Sequence, residues 1–525
     1  MGSAALSGDL DINPERVGRP RLDPYERLLS RFYEQLFLLN ALGQTRGNHT
    51  FPPFELDDRR AKARRFLQNL CYICDFKKGG SACTSVGLEE LDTCYNFCVA
   101  TNGETGKIAE FLTTALSSLE DIAHPTGTNQ DYKNSRFLHL CIEFAAKRIE
   151  GEKKCLRRGV KDCLSRLKGQ TLGSDSEFVE WLDMVVSFDN HFQLCEFAYN
   201  TRHSDQVREL YDRAMEEEAR RAPSEKRSSF FLVRHYVGRL AHHIRAPKQL
   251  IDDTEDLNFL GNHTVYAIGA PSAVPPTIRD SQVNLRGILN RMFRKGDEER
   301  PQVEGGLLHL NKVAGVFGKF LHEYEHSSPE VHAEVQVLEH FHKMQKSFAG
   351  EDRFIACSKP ACLCCEMYFK YHPAHVTVSC SHRKIWPNWS PPHLNHFDSQ
   401  NPATRQQRDI LNKMTGDLRG QVIAHVLQRS PSNPWHPDSI TNITNVRYSD
   451  NFSVSFEVSN ATTTKLFPVV LLSTHPNGFN SPPETAIPHI LEGEADFDDV
   501  SDEEKGGVSI FDCTPATLDT LGNLF

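Results

Sequence analysis

The sequence predicts an α/β fold preceded by a large, mostly helical region, and two patterns lead to this prediction. Over residues 107–245, apolar residues recur every three or four positions, which is the spacing of helices that pack one face into a core. After residue 329, helical and strand-like segments alternate, as they do in an α/β sheet. A chain of 525 residues with 39% hydrophobic and 24% charged residues is typical of a globular protein with more than one folding unit.

The N-terminal part of the chain contains a predicted helix and a predicted hairpin. Residues 1–23 are polar and rich in Gly, Pro and Asp, so we expect a flexible start, and helical spacing begins near Arg27. Between Ser81 and Asn102, short alternating segments rich in Thr, Val, Tyr and Phe are bracketed by glycines. This pattern predicts a β-hairpin.

The C-terminal part provides the α/β alternation. A helix (SSPEVHAEVQVLEHFHKM), a strand (RFIACS), a second helix (CLCCEMYFKYH) and a second strand (AHVTVSC) follow one another. A helix over 405–428, two strand-like segments (FSVSFEV and KLFPVVLLS) and an acidic end come next. The predicted division is a flexible start at 1–23, a mostly helical region at 24–268 with the hairpin near 81–102, a linker and helix at 269–328, an α/β domain at 329–480 and a disordered tail at 481–525.

The composition limits the function classes. A net charge of −10 argues against a general polyanion binder but leaves room for a local basic groove. Two basic clusters occur in the helical region, where solvated helix faces are the favoured interpretation over a nucleic-acid groove: Lys153, Lys154, Arg157 and Arg158, and Arg220, Arg221, Lys226 and Arg227.

Fifteen cysteines in a chain of this length form no dense disulfide framework, and no apolar stretch approaches the roughly 20 residues that span a bilayer. We therefore expect a cytoplasmic or nuclear protein that does not enter a membrane. Cys71 and Cys74 form a C-x-x-C pair, for which a buried apolar role is favoured over a zinc site.

The residues that carry chemistry form two pairs. His332 and Glu334 fall at the predicted start of one helix, and Cys362 and Cys365 at the start of the next. A helix N-terminus carries about half a positive charge, which favours the thiolates that zinc requires. Two thiolates and one imidazole occupy three of the four tetrahedral positions of zinc and leave one for a water molecule. Glu334 lies two residues from the histidine and is predicted to move protons as general acid and base.

The motif H-A-E, followed by K-P-A-C-L-C-C, resembles the H-x-E and P-C-x-x-C signature of zinc deaminases. The wider segments HAEVQVLEHF, IACSKPACLCC and CSHRKIWPNWSPP are similar to the fungal branch of deaminase-like proteins in the cytidine deaminase superfamily. The resemblance covers roughly 331–392 and implies a three-layer α/β/α domain with a mixed sheet, a zinc cofactor and hydrolytic deamination of a nucleobase. Pro360 stands one residue farther from Cys362 than the signature requires, so Cys357 and Cys364 are alternative ligands.

Further residues are candidates for substrate binding. If the hairpin supplies two strands of the sheet, Asn96 or Asn102 on its second strand could approach the base; ordinary surface asparagine is the favoured alternative. The backbone near Ala333 is expected to shape the pocket.

The segment after the last predicted strand offers a second set of candidates. His382, Lys384 and Trp389 could stack on a base or meet a phosphate, or they could belong to a packed loop.

The substrate class is left open between two forms. Chain length and the resemblance favour a nucleic acid, whereas the net acidity favours a free nucleoside, and cytosine and adenine are equally compatible. The rival function is a non-catalytic module in which zinc holds the fold together and the helical region binds a protein partner. A fourth protein ligand, Cys357 or Cys364, would indicate this rival.

Overall fold

The computed structural model describes residues 22–43, 58–79, 83–124, 129–168, 176–220, 228–271, 274–275, 283–378 and 380–428. Almost all of the predicted flexible start, both strand-like segments near the C-terminus and the acidic tail lie outside the described residues.

Helices dominate the described residues. In chain order they are α1 (Pro24–Ala41), α2 (Asp58–Cys74), α3 (Thr105–Ala123), α4 (Gln130–Phe144), α5 (Ala146–Leu167), α6 (Ser176–Ser187), α7 (His191–Thr201), α8 (Asp205–Arg220), α9 (Ser229–Asp253), α10 (Leu285–Met292), α11 (Arg300–Ala314), α12 (Val316–His326), α13 (Ala333–Lys343), α14 (Leu363–Tyr371) and α15 (Pro402–Gln428). The strands are β1 (Thr84–Glu90), β2 (Tyr95–Thr101), β3 (His263–Ala267), β4 (Phe354–Cys357) and β5 (Thr377–Val378).

The five strands form one mixed sheet in the order β3-β2-β1-β4-β5. Strand β1 pairs antiparallel with both β2 and β4, and its Ser85 lies opposite Ala100 on one side and Cys357 on the other. The outer pairs, β2 with β3 and β4 with β5, are parallel. The sheet is mixed, as expected.

Helices cover both faces of this sheet. Phe97 and Val99 of β2 pack into a core with α2, α3 and α4, whereas Cys98 and Ala100 of the same strand pack into a core with α13, α14 and α15. Alternate residues of a strand point to opposite faces, so β2 is buried on both sides. The predicted three-layer α/β/α arrangement is confirmed.

The hairpin strands belong to the same sheet as the strands that follow residue 329. Strands β1 and β2 lie at the positions predicted for the hairpin, and β1 pairs directly with β4. Helices α3 to α9 are inserted between β2 and β3. The sheet therefore includes strands from both sides of the predicted boundary at residue 329.

The helical insertion has a core of its own. Helices α5 to α9, with the C-terminal half of α4, surround a cluster of apolar residues separate from the two cores on the sheet. Two features that follow the insertion were not predicted: strand β3, and the series of three helices, α10 to α12, where a linker with one helix was expected. Among the described helices, none has the length and apolarity needed to cross a membrane.

The first basic cluster of the helical region is partly neutralised. Lys153 is buried, with its Nζ 3.5 Å from a carboxylate oxygen of Asp189, and Arg157 lies 3.6 Å from the same oxygen. Most of the second cluster lies outside the described residues. The prediction that this cluster lies on a solvated helix face is therefore wrong for Lys153, which is buried.

Close packing brings α13 onto β1. A Cβ atom added at Gly87 would lie 2.6 Å from the Phe341 ring and 2.9 Å from Val337, both on α13. Real Cβ atoms do not approach other atoms so closely, so a larger residue would push the helix away from the strand. Glycine at this position allows the helix that begins beside His332 to lie flat on the sheet.

A buried carboxylate joins α13 to α14. Glu339 on α13 accepts a 2.6 Å hydrogen bond from the Tyr368 hydroxyl and lies 3.4 Å from Nε2 of His372, just past the end of α14. Burial raises the pKa of Glu339, but the hydrogen bond with His372, the charge of Lys343 and the hydrogen bond from Tyr368 outweigh burial and hold this pKa at about 2. This contact fixes the two helices whose N-termini carry the predicted zinc ligands.

The low pKa of Glu339 predicts a pH dependence of stability. Because the folded-state pKa lies below the unfolded value of about 4.3, the ionised carboxylate stabilises the fold above that pH, and about 3 kcal/mol is lost as the pH falls toward 2. Glu339→Gln should remove this part of the pH dependence, measured by urea unfolding across the acid range. An unchanged dependence in Glu339→Gln, or an equal change in the exposed Glu325→Gln control, would contradict the assignment.

Candidate metal centre

The predicted zinc ligands come together at two helix N-termini. His332 is the N-cap of α13 and Cys362 is the N-cap of α14, and both have extended backbone angles (φ −65°, ψ 149° and φ −75°, ψ 169°). Cys365 lies in the first turn of α14, and its backbone N–H donates to the Cys362 sulfur at 3.4 Å. The positive N-terminal ends of both helices therefore lie beside the thiols.

The three donor atoms have the spacing of a tetrahedral zinc site. Nδ1 of His332 lies 3.7 Å from the Cys362 sulfur and 3.4 Å from the Cys365 sulfur. Zinc bonds of about 2.3 Å to sulfur and about 2.05 Å to nitrogen place such atoms about 3.6 Å apart in an ideal tetrahedron. The observed distances bracket this value, so the donor set fits zinc.

The electrostatics of the cluster favour a thiolate. Burial raises the pKa of Cys362, but the hydrogen bond from Cys365 and the charge of His332 outweigh it and lower the pKa to about 6. Burial lowers the pKa of His332, but the charge of Cys362 and the contact with it raise the pKa to about 10. A zinc ion would replace the imidazolium proton as the partner of the thiolate.

The extra residue between Pro360 and Cys362 leaves the register unchanged. Cys364 is fully buried, and among the described residues it joins neither group of potential metal donors. Cys364 instead belongs to the apolar core that also contains Tyr33 of α1. Cys357 belongs to a neighbouring group with Cys83 and Glu334. The alternative ligands, Cys357 and Cys364, therefore do not complete the His332 cluster.

Glu334 lies between the zinc donors and this second group. The side chain is 3% exposed, and its Oε2 has no hydrogen-bond partner among the described residues. Burial, Cys362 and Glu334 together raise the pKa of the Cys365 thiol well above its ordinary value, which places the carboxylate close to that ligand. A buried carboxylate oxygen without a hydrogen bond costs free energy of folding. A proton from a substrate or a water molecule would supply the missing hydrogen bond, so this oxygen is available to it.

The two asparagine candidates have different surroundings. Asn102, just past the end of β2, accepts a 2.7 Å hydrogen bond from the backbone N–H of Ala333. Ala333 is fully buried at the first position of α13, so this contact fixes the helix start to the sheet. Asn96 lies at the opposite end of β2, where its amide donates to Glu89 at 2.9 Å. The structure corrects the prediction for Asn96, which is remote from the metal centre.

The segment after β5 packs beneath α14. Trp389 is fully buried between the rings of Phe32 and Tyr368, so it cannot stack on a base, and that prediction is wrong. Its indole Nε1 donates instead to the Cys365 sulfur at 3.1 Å.

His382 and Lys384 are each 3% exposed. The His382 backbone N–H donates to Ala361, and the Lys384 carbonyl accepts from Leu363, so both residues hold the start of α14 in place. Substrate contact by these two side chains stays a prediction.

The indole contact predicts a measurable effect on zinc affinity. Trp389→Phe keeps the ring packing but removes the N–H donor to the Cys365 thiolate, and loss of such an outer contact weakens metal binding by roughly 10–100-fold. Trp386→Phe is the matched control, because Trp386 contacts the Lys384 ammonium and not a thiol. Competition with a chromophoric chelator measures both affinities. Equal affinities in the two variants would show that the indole does not support the ligand.

The sequence did not predict that Cys83 and Cys357 lie next to each other beside Glu334. Their sulfur atoms lie 3.3 Å apart, although 274 positions separate them in the chain. The signal that could have identified the pair is strand pairing, because a hairpin placed beside the RFIACS strand brings both cysteines to one edge.

A cavity of about 590 Å³ lies elsewhere in the fold. It is formed between the start of α1 and residues 393–398, with Tyr25, Tyr33 and Phe397 in its wall, and none of the zinc donors lines it. The donor cluster itself is buried at Cys362 and Cys365 and partly exposed at His332.

Comparison with known families identifies the segment that carries these residues. The family model of OTT_1508-like deaminases matches residues 331–393, which include the three zinc donors, Glu334 and Trp389. No curated protein and no solved structure matches the chain. This match identifies a deaminase-like segment in the chain, and the mixed sheet around it is consistent with the fold of the cytidine deaminase superfamily.

Proposed function

We propose that this protein is a zinc-dependent hydrolytic deaminase that acts on a nucleobase, cytosine or adenine, in a nucleic acid or nucleotide. The observation that carries the proposal is the buried Glu334 carboxylate, which lies beside a cluster of one imidazole and two thiols with zinc spacing. A deaminase needs this combination of a metal and an adjacent proton carrier.

Zinc, when bound by His332, Cys362 and Cys365, supplies a Lewis acid that makes water nucleophilic near neutral pH. The protein's own part is proton transfer. Glu334 accepts a proton from the attacking water, donates a proton to the ring nitrogen, and later helps to protonate the departing amine. In balance, the substrate amine and one water molecule become a carbonyl group and ammonia.

The surroundings of Glu334 suit a proton carrier. Its Oε2, which has no hydrogen-bond partner among the described residues, can accept a proton without first breaking a hydrogen bond to them. The hydrogen bond between Asn102 and Ala333 and the packing at Gly87 hold the start of α13, so the carboxylate keeps its position relative to His332. A fixed position of this kind favours catalysis because little reorganisation is needed during the reaction.

The donor set also argues against the rival function. A structural zinc site has four protein ligands, whereas the His332 cluster has three His, Cys, Asp or Glu donors in the described part of the chain. The two cysteines that could have closed it, Cys357 and Cys364, lie elsewhere. Both thiol ligands must be reduced, so a cytoplasmic or nuclear location is part of the proposal.

The test compares zinc-loaded, chelator-stripped and zinc-restored protein on a panel of substrates. The panel contains cytosine and adenine as free nucleosides, nucleotides, single-stranded DNA and single-stranded RNA, and the readout is ammonia release. We expect ammonia from at least one substrate, its loss on stripping and its return on adding zinc. Zinc-loaded, folded protein that deaminates no member of the panel would contradict the proposed activity, and the responsive member would identify the substrate class.

A further inference from the structure

Two buried cysteines and the catalytic carboxylate form a second group of potential metal ligands. Cys83 directly precedes β1 and Cys357 ends β4, and these two strands pair antiparallel. Because Ser85 lies opposite Cys357, Cys83 is its diagonal neighbour on the same face of the sheet. The two sulfur atoms lie 3.3 Å apart, and each residue is 8% exposed.

Glu334 faces this pair as well as the zinc donors. One of its carboxylate oxygens and both sulfur atoms lie within 4.8 Å of one another. Its Oε2 has no hydrogen-bond partner among the described residues, although Glu334 is only 3% exposed. An unpaired oxygen beside two thiols is an independent indication that a cation fits between them.

We propose that Cys83, Cys357 and Glu334 form a second zinc site, which is weaker than the His332 site and inhibits the enzyme when it is filled. Thiolate sulfur and carboxylate oxygen are both ordinary zinc ligands. Two sulfur ligands of a tetrahedral zinc lie about 3.8 Å apart, so the pair needs to separate by only about half an ångström. Binding displaces the two thiol protons into solvent and leaves the ion held by two thiolates and one carboxylate.

The positions of the ligands make this site the weaker one. In the first cluster, His332 and Cys362 are helix N-caps, and Cys365 lies in the first turn, where the positive helix end stabilises thiolates. Cys83 and Cys357 lie at strand ends, which provide no comparable dipole. Low zinc therefore fills the His332 site first, and the second site fills at higher free zinc.

Inhibition follows from the shared carboxylate. A Glu334 oxygen bound to the second zinc cannot accept the water proton, so activity falls as the second ion binds. This consequence rests on the proposed function, whereas the metal site itself does not.

The direct test measures bound zinc in the full-length protein at a series of buffered free-zinc concentrations. We expect wild type to bind one zinc and then a second, while Cys83→Ser and Cys357→Ser bind only the first. Cys141→Ser is the matched control, because Cys141 is also a buried free cysteine but belongs to the core with α3 and α4, and it should bind two. If either Cys83→Ser or Cys357→Ser fails to fold, the other variant alone tests the second site.

The activity arm uses the same zinc series. We expect wild type and Cys141→Ser to lose at least about tenfold in ammonia release as the second zinc binds, and Cys357→Ser to keep its activity. One zinc in wild type at every concentration, or a Cys83–Cys357 disulfide found by mass spectrometry in reduced protein, would overturn the second site and leave the proposed function standing. Binding of a second zinc ion together with no ammonia release at any free-zinc concentration, including those at which only the first ion is bound, would support the site and count against the proposed function.

Discussion

Replacement of Glu334 by glutamine is expected to lower ammonia release by about 10²–10⁴-fold while the protein keeps its first zinc ion. The magnitude is that of general acid–base catalysis, because glutamine has nearly the same shape but cannot take up the water proton. The three donors of the first site are unchanged in this variant. The loss should therefore fall on turnover, measured by steady-state kinetics at matched zinc content.

Glu330→Gln is the matched control for Glu334→Gln. Glu330 also lies near His332, and the two interact electrostatically, but its side chain is exposed. Removing its charge should change turnover only a few-fold by our estimate for a surface charge. Equal losses in both variants would indicate a general charge effect on the metal centre and would contradict proton transfer by Glu334.

Replacement of Cys365 by serine is expected to remove the first zinc ion, whereas serine at the adjacent Cys364 should leave it bound. Cys365 lies within 3.4 Å of the His332 ring nitrogen, but Cys364 is absent from both potential donor groups of the described residues. Loss of a ligand should weaken zinc binding by more than the roughly 10–100-fold that an outer contact contributes. Metal analysis after dialysis against a zinc buffer measures the difference.

The two cysteine variants are closely matched, because both side chains are fully buried in the first turn of α14. Any general effect of a buried serine on folding should appear in both, and thermal unfolding of the metal-free proteins measures that effect. Zinc retained by Cys365→Ser and lost by Cys364→Ser would mean that the ligand register is shifted by one residue, as the position of Pro360 allows.

The cluster of candidate zinc ligands could be located from the sequence because its signals are local. His332, Cys362 and Cys365 each lie at the start of a helix, and a helix start can be recognised from a few neighbouring residues. The extra residue after Pro360 could not be interpreted from the sequence, because the choice between Cys364 and Cys365 depends on which side of α14 faces His332. In the structure the Cys365 sulfur lies 3.4 Å from the His332 ring nitrogen, whereas Cys364 is buried and belongs to neither group of potential metal donors among the described residues.

Contacts between distant parts of the chain could not be predicted. The bond from Ala333 to Asn102 spans 231 positions, and it exists only because the helical insertion returns the chain to the same sheet. Strand β3 was missed because it is short and mostly exposed, so it has neither a long apolar run nor a clear alternation. For Trp389 the sequence left base stacking and a packed loop open, because both place an aromatic ring near the site; in the structure the ring is buried and its indole donates to the Cys365 sulfur.

X-ray absorption spectroscopy of the zinc-loaded protein would identify the ligands of the first zinc ion. At less than one zinc per chain, only the tighter site is filled. We expect two sulfur ligands at about 2.3 Å, one imidazole nitrogen at about 2.05 Å with the outer-shell scattering of its ring, and one further oxygen or nitrogen ligand. Three or four sulfur ligands, or the absence of imidazole, would contradict an open His332–Cys362–Cys365 centre and favour a structural zinc site.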